Sequence, residues 1–169
     1  MIKKILLILL VFLFSVPVLA DNIKGWGPTW WGMPKEKILT LYRDEIDNIE
    51  GIDSAPLNKT ADEEISLKKK TIAGFPITVS FLLKKNILVR TNLIMDKDKN
   101  TSTDLKDLKN MLTKKYGAPT SSENSLNGDW RFEQYTWLQD VTTITLIRTS
   151  GKISGMSISY SPTPDYSGL

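Results

Sequence analysis

The sequence predicts a two-layer α+β domain in which tandem helix-plus-three-strand units form an antiparallel sheet with two helices packed on one face. Apolar residues recur at i, i+3 and i+4 in two segments, Ile38–Tyr42 and Leu105–Tyr116. Period-2 alternation marks strands, most clearly where Phe75, Ile77, Val79, Phe81 and Leu83 fall on one face. The resulting order is helix, three strands, helix, three strands, a duplication of pattern with little residue identity between the halves. Strands with a single apolar face need a cover, and amphipathic helices supply one.

The elements follow in chain order. Asp21 to Met33 is a Trp- and Gly-rich opening segment containing GWGPTWWGM. Pro34 suits a first helical turn, and the helix it opens runs to about Asp44 with Ile38, Leu41 and Tyr42 on one stripe and Leu39 beside them. Glu45 to Asp62 is polar, carries Gly51 and Pro56, and reads as a loop. Glu64–Ile72 reads as a polar edge strand, its Lys68, Lys69 and Lys70 discouraging edge pairing. Phe75–Leu83 follows, and a Lys84-Lys85-Asn86 turn leads into Ile87–Met95.

The second helix carries Leu105, Leu108, Leu112 and Tyr116 on one face, with Met111 adjoining. Ser102 or Thr103 is its expected cap, and Gly117 followed by Pro119 its stop. A loop rich in Ser, Asn and Gly precedes Trp130–Leu138, Val141–Arg148 and Gly155–Tyr160. Met156, Ile158 and Tyr160 lie on one side of the last strand. The tail, 162–169, reads as frayed.

Residues 1–20 read as a cleavable secretory signal peptide. Lys3 and Lys4 precede the apolar run Ile5–Phe14, Ser15 and Pro17 break it, and Val18 and Ala20 occupy the −3 and −1 positions, so cleavage is expected between Ala20 and Asp21. The apolar run is half of the roughly 20 residues that a bilayer span needs. Position 21 is aspartate rather than a lipidation cysteine. The expectation is a periplasmic or secreted protein with no stable membrane anchor after cleavage.

What remains is 149 residues, enough for one domain (21–161) with a substantial core. No cysteine occurs, so packing alone must hold an exported fold that would often use disulfides. The net charge of +3 falls to +1 without the leader, 20 basic against 19 acidic residues. That balance gives no support for nucleic-acid binding.

Several short strings carry a family resemblance. They are Trp31-Gly32-Met33-Pro34 opening a helix, Gly74-Phe75-Pro76 opening a strand, Tyr116-Gly117-Ala118-Pro119 closing a helix, and Trp137…Ile144-x-Leu146 with Ile158-Ser159-Tyr160 near the end. Together they resemble small exported bacterial proteins, mostly uncharacterised, whose architecture is similar to the β-lactamase-inhibitor-protein type and is shared with small outer-membrane assembly lipoproteins. The resemblance implies an α/β architecture and an inhibitor- or assembly-type binding role. It brings no catalytic residue with it.

Histidine and cysteine are both absent, which removes Ser-His-Asp and Cys-His catalysis and the usual zinc, copper and haem ligand sets. No cofactor and no catalytic residue is expected. Oxygen ligands at positions 1, 3, 5, 7, 9 and 12 of Asp96–Asp107 match a calcium-loop spacing, but Thr101 stands where that loop turns on glycine and Asp107 where it takes a bidentate Glu. The alternative is a solvated connection whose side chains bond the local backbone. Asp44, Glu45, Asp47 and Glu50, with Asp62, Glu63 and Glu64, form two acidic clusters from which a glycoside-hydrolysing carboxylate pair could come.

Trp26, Trp30 and Trp31 are the candidate partner-binding residues, as an exposed hot spot or sugar-stacking platform. The competing reading packs them back on the first helix as a staple. The leading expectation is a non-enzymatic exported module that binds a protein partner in the cell envelope, through these tryptophans or a sheet face. The alternatives are a carboxylate-dependent hydrolase of envelope or extracellular polysaccharide and a calcium-binding module.

Overall fold

The structure is a computed structural model that describes residues 24–52, 61–152 and 154–164. The expected leader, with Ala20 and Asp21, and the last part of the tail lie outside the described residues. The order is α1 (Lys35–Leu41), β1 (Ile46–Gly51), β2 (Glu63–Ile72), β3 (Phe75–Lys84), β4 (Ile87–Met95), α2 (Ser102–Tyr116), β5 (Ser121–Asn127), β6 (Trp130–Gln139), β7 (Thr142–Ser150) and β8 (Gly155–Pro162). All eight strands form one antiparallel sheet in the order β1-β2-β3-β4-β8-β7-β6-β5. The protein is therefore α+β with the sheet dominant. Each half is a helix followed by a four-stranded meander, and the halves join where β4 pairs β8 from Thr91↔Tyr160 to Ile94↔Ser157.

The expected three strands per unit are corrected to four. The additional strands, β1 and β5, are the two edges of the sheet. Neither buries a face: β1 is exposed after its first residue and β5 throughout. A strand that buries nothing needs no alternation, so both segments read as loops. The same correction moves β2 inward, since β1 covers it. Lys68, expected to guard an edge, donates its backbone N–H to Glu45 O at 2.7 Å, and Lys70 pairs with Glu45.

Two-residue turns with positive φ at Ala73-Gly74 and Lys85-Asn86 link β2 to β3 and β3 to β4. This handedness matches the twist of the strands they join. α1 is shorter than expected, ending at Leu41 with Tyr42 as its C-cap. The Trp31-Gly32-Met33-Pro34 string runs back along β4. Gly32 N–H donates to Leu88 O at 3.0 Å, Leu88 N–H to Met33 O at 2.9 Å, and Lys35 N–H to Asn86 O at 2.9 Å.

The N-cap of α2 is Thr101, one residue before the expected Ser102. Its hydroxyl accepts from Asp104 N–H at 3.1 Å while Asp104 Oδ2 accepts from Thr101 N–H at 2.9 Å, a reciprocal capping box. Gly117, at φ 85°, ends the helix as expected.

One buried cluster takes Ile38 from α1, Leu105, Leu108 and Leu112 from α2, and the inward residues of β2, β3, β4, β6, β7 and β8. Arg148 is buried with them, its Nε donating to Asn100 O at 3.0 Å and its Nη1 to Glu133. A buried cation needs such partners. The side of the sheet opposite this core carries a row of Cα partners across all eight strands: Asn48, Ser66, Ser80, Asn92, Ser159, Thr145, Thr136 and Ser121. Every member is uncharged and polar. β8 extends to Pro162, and Thr163 N–H donates to Val141 O at 3.1 Å, so chain order persists slightly beyond Tyr160.

Candidate functional site

The tryptophan-rich segment folds as a tight turn. Thr29 N–H donates to Trp26 O at 3.2 Å, Thr29 Oγ1 donates to the same carbonyl at 2.7 Å, and Trp26 N–H donates to Thr29 Oγ1 at 3.1 Å. Gly25 is required here, because a Cβ would lie 2.3 Å from Thr29 O. The turn sits over aromatic core: the rings of Trp26 and Phe81 are 6.1 Å apart and those of Phe81 and Tyr42 are 5.1 Å apart.

The three tryptophans separate. Trp31, 8% exposed, is a core residue whose indole N–H donates to Thr142 Oγ1 at 2.9 Å. Trp26 is half-buried against that core. Trp30 alone projects, at 42% exposure. The expected trio thus reduces to a surface made by Trp30 and the outer part of Trp26, with Trp31 anchoring the segment beneath.

An open cleft of about 650 Å³ lies between this turn, the end of α2 and β8. Lys24, Trp26, Trp30, Lys115, Tyr116 and Tyr160 supply its side chains together with Pro28 and Thr29. Trp137 Nε1 donates to Gly117 O at 2.9 Å and Gln139 Nε2 to Tyr116 O at 3.2 Å, so β6 fixes the end of α2 and with it Tyr116. The Tyr116 and Tyr160 hydroxyls are 3.3 Å apart. Burial raises the Tyr160 hydroxyl well above the usual phenol range, and neighbouring Tyr116 adds to the shift. It therefore serves this cleft as a neutral hydroxyl. Among the described residues, Lys24 and Lys115 are the only charged ones of the lining. Lys115 Nζ stands 5.0 Å from the Tyr116 ring centroid.

No family model, curated protein or solved structure matches this chain. The chemistry of the site must therefore be read from its residues.

The sequence pointed to the tryptophans but not to Tyr116, Tyr160 or Lys115. These lie some 85 to 135 residues further along the chain, and no local spacing joins them to the turn. Only the topology, which sets β8 and the end of α2 beside the N-terminal segment, does so.

The other candidates resolve differently. The two acidic clusters do meet, since Glu50 and Glu64 are Cα partners between β1 and β2. They meet on an exposed edge strand, where Glu50 binds Asn48 and Glu64 accepts from Ser66 Oγ at 3.1 Å. Glu63 pairs with Lys35, and Asp62 Oδ2 accepts from Lys85 N–H at 2.8 Å. That is an arrangement of surface pairs and not the two-sided cleft that glycoside hydrolysis uses.

In the calcium-spaced segment α2 starts at Ser102, so positions 7 to 12 are helical and do not wrap a shared centre. Asp104 is engaged by Thr101, and Asp96 Oδ2 accepts from Lys69 Nζ at 2.6 Å. Among the described residues no group of three or more Asp or Glu side chains is placed to hold a metal ion. Ser66 and Lys69 have the spacing of a serine–lysine pair, but on β2 their partners are Glu64 and Asp96 rather than each other.

Proposed function

We propose that the mature chain is an exported, non-enzymatic binding module that docks a protein partner of the cell envelope at the cleft between the tryptophan turn, α2 and β8. One observation carries this reading. Trp30 is 42% exposed at the rim of an open cleft whose charges, among the described residues, are Lys24 and Lys115. Tryptophan is enriched among the residues that dominate protein interfaces, where a large amphipathic ring is desolvated next to polar groups. Two lysines with no carboxylate among the described lining residues favour a partner presenting acidic side chains around an apolar knob, and they steer its approach.

The compartment and the architecture belong to the same proposal. Residues 1–20 act as a cleaved leader, and among the described residues no helix is long and apolar enough to cross a membrane. Both helices lie on one face of the sheet, a placement supported by the single buried cluster that they share. The β-lactamase-inhibitor-protein-like architecture is supported by the two consecutive helix-plus-meander units meeting at β4 and β8.

The test is a partner pull-down from the exporting cell with the wild-type protein and with Trp30→Ala and Lys115→Glu. Both substitutions are at exposed positions, and circular dichroism is expected to show the fold intact in each. The expected result is a partner retained by wild type and reduced at least tenfold by either substitution, as hot-spot losses of about 1.4 kcal/mol or more require. Equal retention by all three proteins rejects the cleft as the docking site.

A further inference from the structure

The two edges of the sheet are protected very differently. β1 carries Asp47 and Glu50 and breaks register between Ile46 and Asn48. Such charges and irregularities blunt an edge against further pairing. β5, Ser121–Asn127, has none of these devices. It contains no lysine, proline or glycine, its only charge is Glu123, and its seven residues pair β6 in unbroken register from Ser121↔Thr136 to Asn127↔Trp130. It is exposed along its whole length, Leu126 at 73%. An unpaired edge of this kind presents alternate N–H and C=O groups ready to accept another strand.

We infer that β5 pairs with β5 of a second copy of this chain, antiparallel about a two-fold axis at Asn124, joining two sheets edge to edge. The sequence of the strand argues for this occupant. The register that pairs all seven residues sets Ser121 opposite Asn127, Ser122 opposite Leu126, Glu123 opposite Ser125, and Asn124 opposite itself. The only charged residue is therefore directly opposed by a serine, and the two Glu123 copies stand only diagonally, about 7–8 Å apart, which avoids the direct like-charge opposition that destabilises cross-strand pairs. Asn124 faces its own amide, which both donates and accepts. Opposed residues share parity, so core-side residues meet core-side residues and both helix layers stand on the same side of the joined sheet. The near-neutral balance of 20 basic and 19 acidic residues beyond the leader opposes self-association little. One strand pair is a small interface, so the association is weak and reversible.

The absence of cysteine makes the test direct. Asn124→Cys places a thiol beside the two-fold axis, with opposed Cβ atoms about 4.5–5.5 Å apart, from which a small inward shift of the two strands reaches the roughly 3.5–4.5 Å of a disulfide. Ser121→Cys places its two thiols about 20 Å apart at the ends of the paired strands. Both residues are exposed. Under mild oxidation of the purified exported protein, the Asn124→Cys variant is expected to form covalent dimer at least tenfold faster than Ser121→Cys. Sedimentation of wild type is expected to show a mass rising toward twice the monomer at about 0.5 mM, and Asn124→Lys, which opposes two cations, to stay monomeric. Equal dimerisation rates, or a wild type that remains monomeric throughout, overturns the inference. So does a monomer whose β5 edge binds an extended peptide of unrelated sequence, which assigns the edge to another chain.

Discussion

The indole N–H of Trp31 donates to Thr142 Oγ1 at 2.9 Å across 111 residues of sequence, tying the N-terminal turn to the second half of the sheet. Trp31 is thus a fixture of the fold, and its neighbour Trp30 a feature of the surface. Trp31→Phe removes this bond and part of a buried ring, and is expected to lower stability by about 1–3 kcal/mol in urea unfolding. Trp30→Ala is expected to stay within about 0.5 kcal/mol of wild type, as exposed positions do. Comparable losses at both positions would contradict the division of roles.

Arg148 and Glu133 are both largely buried, and Arg148 also holds Asn100 O just before α2. Removing one charge leaves the other without its partner. Arg148→Met alone is expected to lose about 3 kcal/mol or more, whereas adding Glu133→Leu should restore most of the loss. A double variant no more stable than the single one would show that the pair is not the relevant unit.

The capping box at Thr101 makes a pH-dependent contribution. Hydrogen bonds from the Thr101 side chain and then its backbone hold the Asp104 carboxyl below its usual range. A carboxyl lowered in the folded state stabilises above the ordinary carboxylate range and loses that contribution as pH falls through its lowered value. Thr101→Ala is therefore expected to cost about 1 kcal/mol near neutral pH, with the gap to wild type closing in acid. A gap that stays constant down to full protonation would mean that Asp104 is not part of the cap.

Tyrosine burial sets the alkaline limit. Burial first, and the charge of Glu45 second, push the Tyr42 hydroxyl from 10.0 to about 12. A group raised in the folded state gives its full contribution below the unfolded value and loses it as pH rises through the folded value. Unfolding is expected to ease progressively above pH 10, with Tyr42 and Tyr160 ionising last by phenolate absorbance. The Tyr42 hydroxyl has no hydrogen-bond partner among the described residues. Tyr42→Phe should therefore hold or raise stability, by up to about 1 kcal/mol. A substantial loss on this substitution would reveal a partner for the hydroxyl.

Much of the fold was legible because buried elements carry a period. β4 appears with the bounds its alternation implies, Ile87–Met95, and Leu105, Leu108 and Leu112 are the buried stripe of α2. The edges were illegible for the complementary reason: IDNIEG and SSENSLN bury almost nothing and so carry no period. The cap shifted to Thr101 because Ser and Thr occupy three consecutive positions, 101–103, and only geometry selects among them. At the site, a cluster of tryptophans in sequence was visible, but which ring faces solvent depends on Thr142, a residue of the opposite half. The carboxylates Glu50 and Glu64 met through β1, the strand that sequence could not show.

The most direct test of the proposed docking site is site-specific photocrosslinking in the exporting cell, with the photoreactive side chain at Trp30 or Lys115 and a control at exposed Thr40 on α1. The account predicts the same protein adduct from positions 30 and 115, none from position 40, and loss of the adduct when Lys24 is reversed to Glu. No adduct from either cleft position, or an equal yield from Thr40, would contradict it.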